Sequence, residues 1–286
     1  MNKSEAAFER LFKPPGNFRV DPEWAELSDC QWATDSAKNL SSPLLTDVSI
    51  VIPVKNEVES IESLAREISE TMNRRPWSWE CIWVDDGSTD GSLAALERVA
   101  ALDGNHGFIS LESGVGQSAA LWAGFGEARG LVLATLDGDG QNDPRDIPGL
   151  VELVLSGRTD MANGRRLKRR DNLVRKAASR LANAARNRLT GRVATDAGCS
   201  ARAFRRECVA SLIPTAGMHR FIPTLAALRG FRICEIPVNH RPRSGGKSKY
   251  SLNNRIWVGF LDLLGIYWLR KRAFRYKISG AGVLPP

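Results

Sequence analysis

Apolar and polar positions alternate in blocks along the middle of this chain. Four apolar runs, each stopped by a polar turn, predict strands at 48–53, 79–85, 107–111 and 130–136. Between and after them, apolar residues recur at helical spacing over 57–72, 90–102, 117–128 and 146–156. Short runs that are apolar on both faces suit buried parallel strands, and their alternation with helices makes βαβ units. The predicted fold class is α/β, a mostly parallel sheet flanked by helices. From residue 159 the pattern loosens. Asp160 to Gly164 read as a short strand. Leu173, Val174, Ala177, Leu181, Ala184 and Leu189 then fall among arginines at near-helical spacing, which predicts an amphipathic helix over 172–190. A late strand at 231–238 ends in a Gly- and Ser-rich basic loop, Asn239 to Ser248.

The two ends read differently. Residues 1–46 are polar, with Pro14-Pro15-Gly16, Ser41-Ser42-Pro43 and isolated aromatics, the pattern of an extension that docks or wraps. Residues 256–269 are strongly apolar and aromatic, and Arg270-Lys271-Arg272 follow. At about 1.5 Å per residue such a helix is too short for a bilayer core of roughly 30 Å. It can close the core or lie in a membrane interface, and its Trp, Tyr and basic flank favour the interface. The expected organisation is a polar extension at 1–46, one α/β domain at 47–250, and an amphipathic helix with a tail at 251–286. No apolar run reaches the ~18 residues of a spanning helix, and the first residues lack a signal-type apolar core, so neither feature is expected.

Charge and cysteine usage narrow the partners. The formal net charge is +8, and the cations crowd two segments. Arg158 to Arg192 is opposed only by Asp160 and Asp171, and Arg241 to Lys277 only by Asp262. Such patches suit an anionic membrane surface or a phosphate-bearing substrate. No nucleic-acid-binding signature accompanies them, so no nucleic acid partner is expected. The five cysteines are scattered without a C-x-x-C, which argues for a reducing compartment and against a zinc knuckle or disulfide framework. The three histidines form no ligand pair, and a structural role is expected for His106.

The chemistry sits at the strand ends. Leu131 to Leu136 is an apolar run that stops at Asp137-Gly138-Asp139-Gly140-Gln141-Asn142-Asp143-Pro144. Asp137, Asp139 and Gln141 occupy alternate positions, so three oxygen-bearing side chains can converge there. Hard cations take such ligands, and Mg²⁺ is usually shared between a few carboxylates and substrate phosphates. A solvated acidic turn is the plain alternative. An EF-hand is excluded, because its sixth and twelfth positions hold Asn142 and Pro148 instead of Gly and Glu. Two further strand ends, Pro53-Val54-Lys55-Asn56-Glu57 and Val84-Asp85-Asp86-Gly87-Ser88, precede it in order. In open α/β sheets ligands bind outside the carboxyl ends of the strands, so these turns together suit a nucleotide-diphosphate pocket. The loop at 239–248 lacks the first glycine of a Walker A loop. Gly114-Val115-Gly116-Gln117-Ser118-Ala119 does fit G-x-G-x-x-A, which keeps an NAD(P)-dependent dehydrogenase as a rival. That fingerprint normally opens the first βα turn, and here it opens the third.

The three strand-end motifs resemble, in order and spacing, those of family-2 glycosyltransferases with the GT-A fold. The D-G-D-G-Q-N-D-P form resembles the branch of dolichol- and polyprenyl-phosphate sugar synthases, over about residues 47–250. The resemblance implies inverting transfer of a sugar from a nucleoside diphosphate, UDP or GDP, to a polyprenyl phosphate, with Mg²⁺ or Mn²⁺, for cell-envelope glycan or lipid modification. It implies donor contacts from Pro53, Glu57, Asp86, Asp137 and Gln141, and a metal held by Asp137, Asp139 and Gln141, with Asp139 the foremost ligand. It implies acceptor-phosphate contacts from Arg165, Arg175, Ser179, Arg243, Ser248 and Lys249, the arginines at 165, 175 and 243 assisting the transfer. Asp196 would orient an arginine or a sugar hydroxyl. In a relative with a non-lipid hydroxyl acceptor, it would serve as the base. The implied location is the cytoplasm, peripheral on the inner face of the cytoplasmic membrane. The chain departs from the branch at Asn163-Gly164-Arg165-Arg166, where G-S-R-Y is usual.

Overall fold

A computed structural model describes residues 46–166, 193–242, 262–269 and 271–272. The strands are β1 (Thr46–Val54), β2 (Trp79–Asp85), β3 (His106–Ser110), β4 (Gly130–Thr135), β5 (Met161–Arg166), β6 (Arg202–Arg205) and β7 (Ile233–Val238). The helices are α1 (Val58–Met72), α2 (Ser92–Leu102), α3 (Gln117–Glu127), α4 (Ile147–Leu155) and α5 (Ile222–Leu228), and residues 262–269 are also helical. Every element expected between 48 and 164 is present, its ends moved by no more than two residues. β6 and α5 were not expected. The helix predicted at 172–190 lies outside the described residues, as do 1–45.

The strands form one sheet in the order β3-β2-β1-β4-β6-β5-β7. β1 to β4 are mutually parallel, and β7 runs parallel to β5. Short β6 is antiparallel to both its neighbours, β4 and β5. The architecture is thus the mostly parallel α/β sheet read from the sequence, with a single reversed strand inside it.

Side-chain alternation on β1 explains the two layers. Val48, Ile50, Ile52 and Val54 face one side and join Ile61, Leu64 and Ile68 of α1, Leu96 of α2, and Leu150 and Val151 of α4 in one apolar cluster. Val51 faces the other side, with Leu121 and Phe125 of α3, Ile222 and Leu225 of α5, and Ile266. Each fully buried side chain of this kind contributes about 1.5–3 kcal/mol by leaving water. Ile266, with Leu263 and Leu269 against the same cluster, fastens the 262–269 helix to this layer.

His106 is structural. The Trp83 indole donates to its Nδ1 at 3.0 Å, and Ser69 Oγ lies 2.9 Å from its Nε2 while donating to Asp103 at 2.7 Å. An indole only donates, so Nδ1 is an acceptor and the neutral ring carries its proton on Nε2. Burial lowers the pKa of this imidazole against the opposing pull of Asp103.

The sheet also fixes where a ligand can sit. From β1 the chain winds through β2 to β3 on one side and returns to β4 on the other. That reversal opens a crevice at the carboxyl ends of β1, β2 and β4, and the three polar turns line it.

Candidate active site

The loop after β4 is packed rather than loose. The Gly138 carbonyl accepts from Ser60 Oγ of α1 at 2.5 Å. A Cβ at Gly138 would lie 3.0 Å from both the Pro53 carbonyl oxygen and Val54 Cγ2, so glycine lets the loop press on the end of β1. Asp137 Oδ1 accepts from the Gln117 amide at 2.8 Å, and Asp139 Oδ1 accepts from the Gln141 N–H at 3.1 Å. Asn142 Oδ1 accepts from Ser200 Oγ at 2.8 Å. Burial and the neighbouring Asp139 charge raise the pKa of Asp137, while Ser200, Arg202 and Arg166 oppose the rise. A buried carboxylate with a second carboxylate beside it suits a hard divalent cation. Among the described residues no three His, Cys, Asp or Glu side chains group to hold a metal alone. An ion on this loop would therefore complete its shell from amide, water and phosphate oxygens, as Mg²⁺ commonly does.

The neighbouring turns interlock. Asn56 adopts φ 55°, its N–H donates to Ser88 Oγ at 2.8 Å, and its Oδ1 accepts from the Thr89 N–H at 2.6 Å. Asn tolerates this left-handed geometry because its side chain bonds locally. The Glu57 N–H donates to Ser92 Oγ at 2.9 Å, which ties the turn after β1 to the start of α2. Asp86 is buried at the crevice, and its oxygens are engaged: Oδ1 accepts from Val115 N–H at 2.7 Å and Gly116 N–H at 2.9 Å, and Lys55 Nζ stands 3.3 Å from Oδ2. The glycine turn that resembles a dinucleotide fingerprint thus spends two of its amides on a carboxylate of the same chain. A dehydrogenase would offer such amides to a pyrophosphate, so this geometry weighs against that reading.

Across the crevice the sequence candidates separate. Arg165 and Arg166 close β5 and point to opposite faces of the strand. Arg165 is exposed. Arg166 turns inward and grips Asp196, Nε to Oδ2 at 2.8 Å and Nη2 to Oδ1 at 2.7 Å, with its N–H on Oδ2 at 3.2 Å. The Asp196 hydrogen bonds raise the Arg166 pKa against the cost of burial. Asp196 therefore has an arginine to orient, and it is Arg166, a residue that sequence reasoning passed over. Both carboxylate oxygens are committed to that fork, which disfavours Asp196 as a base. Arg175, Ser179, Arg243, Ser248 and Lys249 lie outside the described residues.

A cavity of about 300 Å³ opens beside Asp137. Gln117, Ser200, Arg202, His219 and Arg220 line its polar side. Arg202 is 4% exposed and donates to Asn163 Oδ1 at 3.0 Å and to the carbonyls of His219 and Ala197, each at 2.7 Å. Burial pulls its pKa down to about 10, still charged at neutral pH. His219 Nδ1 lies 2.8 Å from Ser118 Oγ, and Arg220 pairs with Asp262 at 3.3 Å. No sequence signal pointed to Arg202, His219 or Arg220, because they follow the stretch where strand and helix periodicity fade.

Comparison with known proteins adds an independent line. Residues 49–212 match the family described as Glycosyl transferase family 2. The chain is 38% identical over 235 residues to a dodecaprenyl-phosphate galacturonate synthase of Rhizobium johnstonii, covering 81% of this chain and 68% of that protein. It is 43% identical over 218 residues to an undecaprenyl-phosphate 4-deoxy-4-formamido-L-arabinose transferase of Pseudomonas fluorescens, covering 76% of this chain and 63% of that one. The chain thus spans about two thirds of the length of these relatives. Among solved structures, glucosyl-3-phosphoglycerate synthase from Mycobacterium tuberculosis with Mg²⁺ and UDP superposes with a TM-score of 0.59 at 20% identity, over 88% of this chain and 86% of that one. At that identity the likeness bears on the fold alone.

Proposed function

The chain belongs to glycosyl transferase family 2, and from that premise we propose that it transfers a sugar from a nucleoside diphosphate to a polyprenyl phosphate. One observation carries the reading: Asp137, which opens the acidic turn at the end of β4, stands in the field of a half-buried arginine, Arg166, that Asp196 grips through both its oxygens. Such a site has one pole for a cation and diphosphate and another for a second anion. The relatives' names, which pair a sugar with dodecaprenyl or undecaprenyl phosphate, support the same acceptor class.

In this reading Asp137, Asp139 and Gln141 hold Mg²⁺ or Mn²⁺. When bound, the ion offsets charge that develops on the departing diphosphate. Asn56, Glu57 and Asp86 shape the nucleoside end through their interlocked turns. Arg166 receives the acceptor phosphate on its Nη1 side, the edge that the Nε and Nη2 contacts to Asp196 do not use, where charge-assisted bonds to phosphate oxygens can form. A phosphate is already an anionic nucleophile near neutral pH, so the site needs cations that bring two anions together more than it needs a base. The engaged Asp196 accords with that. Arg175, Arg243, Ser248 and Lys249 remain candidates on the acceptor side through the family resemblance.

The location proposed is peripheral, on the inner face of the cytoplasmic membrane. Among the described residues no helix is long and apolar enough to cross a membrane. The test of function is transfer from UDP- and GDP-sugars to a polyprenyl phosphate, with Mg²⁺ or Mn²⁺ and with EDTA. Metal-dependent transfer that disappears in Asp139→Ala, with unfolding behaviour unchanged, is expected. Wild-type-like turnover of that variant in EDTA would overturn the metal role.

A further inference from the structure

The acidic loop is anchored at its start by β4, and its far end has an anchor of a different kind. Asp143 is 5% exposed and opens the short 3-10 turn Pro144–Asp146 by accepting from the Arg145 N–H at 3.1 Å. The backbone just after β7 returns to this point and lies along the loop. Arg241 N–H donates to the Gln141 carbonyl at 2.8 Å, and His240 forms an antiparallel bridge with Asn142. Asn239 N–H adds a bond to Asp146 Oδ2 at 2.7 Å. The Arg241 guanidinium then reaches two carboxylates from different elements, Asp143 at 2.7 Å and Glu67 of α1 at 2.8 Å. One side chain therefore joins α1, the acidic loop and the segment after β7.

Three features set this apart from an ordinary surface ion pair. The Arg241 side chain is 28% exposed and that of Asp143 6%, so the pair is shielded. The fork meets each carboxylate with a separate nitrogen, Nη1 on Glu67 and Nη2 on Asp143, which the single nitrogen of an ammonium cannot do. The residue held at backbone level is Gln141 itself, a candidate ligand. Small displacements of ligating groups are costly, because outer partners that orient a metal's ligands typically contribute ten- to a hundredfold in affinity.

We propose that Arg241 is a positioning residue for the metal–diphosphate end of the site. Its side chain acts through Asp143 and Glu67, beside the backbone bond to Gln141, and touches neither donor nor acceptor. The inference rests on the glycosyltransferase reading, since it presumes that the loop binds a metal with a nucleoside diphosphate. Without the fork, Glu67 loses its contact to the loop, and Asp143 keeps the local contacts of Arg145. Residues 141–143 are then left to backbone bonds and the Ser200–Asn142 contact, and can drift from the geometry that Asp137 and Asp139 require.

The test uses the full chain and Mn²⁺ with UDP or GDP, whichever the wild type retains. Free Mn²⁺ is counted by electron paramagnetic resonance during titration, and thermal unfolding is followed separately in EDTA. Arg241→Met should weaken Mn²⁺ binding about tenfold, and Glu67→Gln, which removes one arm, by less. Arg98→Met breaks an exposed pair with Glu62 elsewhere on α1 and should leave Mn²⁺ affinity unchanged. A purely structural strap would lower the unfolding temperature of Arg241→Met yet leave Mn²⁺ affinity intact below it, and that result overturns the proposal. Should Arg241→Met fail to fold, Glu67→Gln with wild-type Mn²⁺ affinity does the same. A wild type that binds Mn²⁺ with neither nucleotide would instead overturn the functional reading on which the inference rests.

Discussion

On the proposed reading, a one-residue choice separates two arginines, Arg165 implied by the family resemblance and Arg166 paired with Asp196. Because side chains alternate along a strand, Arg165 and Arg166 are not interchangeable: a slip of one position exchanges solvent for crevice. The sequence contains both arginines but not the phase of β5, whose first four residues, Met161-Ala162-Asn163-Gly164, carry no clear alternation. The structure supplies the phase through Asp196, which grips Arg166 alone among the two. Arg166→Ala should remove a charge-assisted phosphate contact of roughly 1.5–3 kcal/mol, a loss of about ten- to a hundredfold in acceptor efficiency. Arg165→Ala should change it much less. Steady-state kinetics with the acceptor varied at saturating donor decides between them, and equal losses in both variants would detach Arg166 from the acceptor. The strand-end acids were legible for the opposite reason. Asp85, Asp86, Asp137 and Asp139 follow long apolar runs, so their place at one sheet edge follows from the pattern. That Asp86 would spend its oxygens on the Val115 and Gly116 amides was not legible, because that contact joins turns about thirty residues apart.

At the scale of elements, the first four βα units were readable because β1, β2 and β4 are largely apolar on both faces and helices alternate with them, while β3, the exposed edge strand, was marked by its place in that alternation. β6 escaped detection. It is four residues long, begins and ends with arginine, and takes its burial from neighbours distant in sequence. A charge cluster ties elements together at this end of the sheet. Asp160, just before β5, accepts from Arg232 through the backbone N–H at 2.8 Å, Nε at 3.0 Å and Nη2 at 3.0 Å, and Arg205 of β6 lies 3.6 Å away. The Arg232 hydrogen bonds pull the Asp160 pKa from its ordinary 3.8 to about 2, against a smaller opposing effect of burial. A folded-state value below the unfolded one means that the carboxylate stabilises the fold above the ordinary pKa. That contribution fades as pH falls from 3.8 towards 2. Asp160→Asn should therefore be less stable than wild type at neutral pH, with the gap closing below about pH 2. Urea unfolding at neutral and acidic pH measures it, and a gap that persists undiminished at the lowest pH would assign the loss to packing instead.

For the whole molecule, the outer face of the 262–269 helix bears on where the reaction takes place. One side of this helix is committed to the core through Ile266. The other leaves Leu264 42% and Trp268 58% exposed, with Arg272 5.7 Å above the Trp268 ring and Lys271 5.9 Å above that of Tyr267. The sequence left core and interface as alternatives for this stretch, and the helix presents a face to each. It was ambiguous because an apolar run with aromatics satisfies both environments, and only the packing of Ile266 sets the phase. An exposed aromatic face flanked by cations suits the headgroup region of an anionic bilayer, where each Lys or Arg contributes about 1 kcal/mol. The chain carries a net charge of +8, which adds a long-range attraction that salt screens. Flotation with vesicles should therefore recover the protein on anionic lipid at low salt, less on zwitterionic lipid, and less again as salt rises. Leu264→Asp with Trp268→Glu should abolish recovery without unfolding the domain, because both side chains already face solvent. If the double variant floats as well as wild type, this face is not the contact. If the wild type stays in solution with anionic vesicles at low salt, the peripheral location falls, and a lipid acceptor would have to be brought to the crevice by another route.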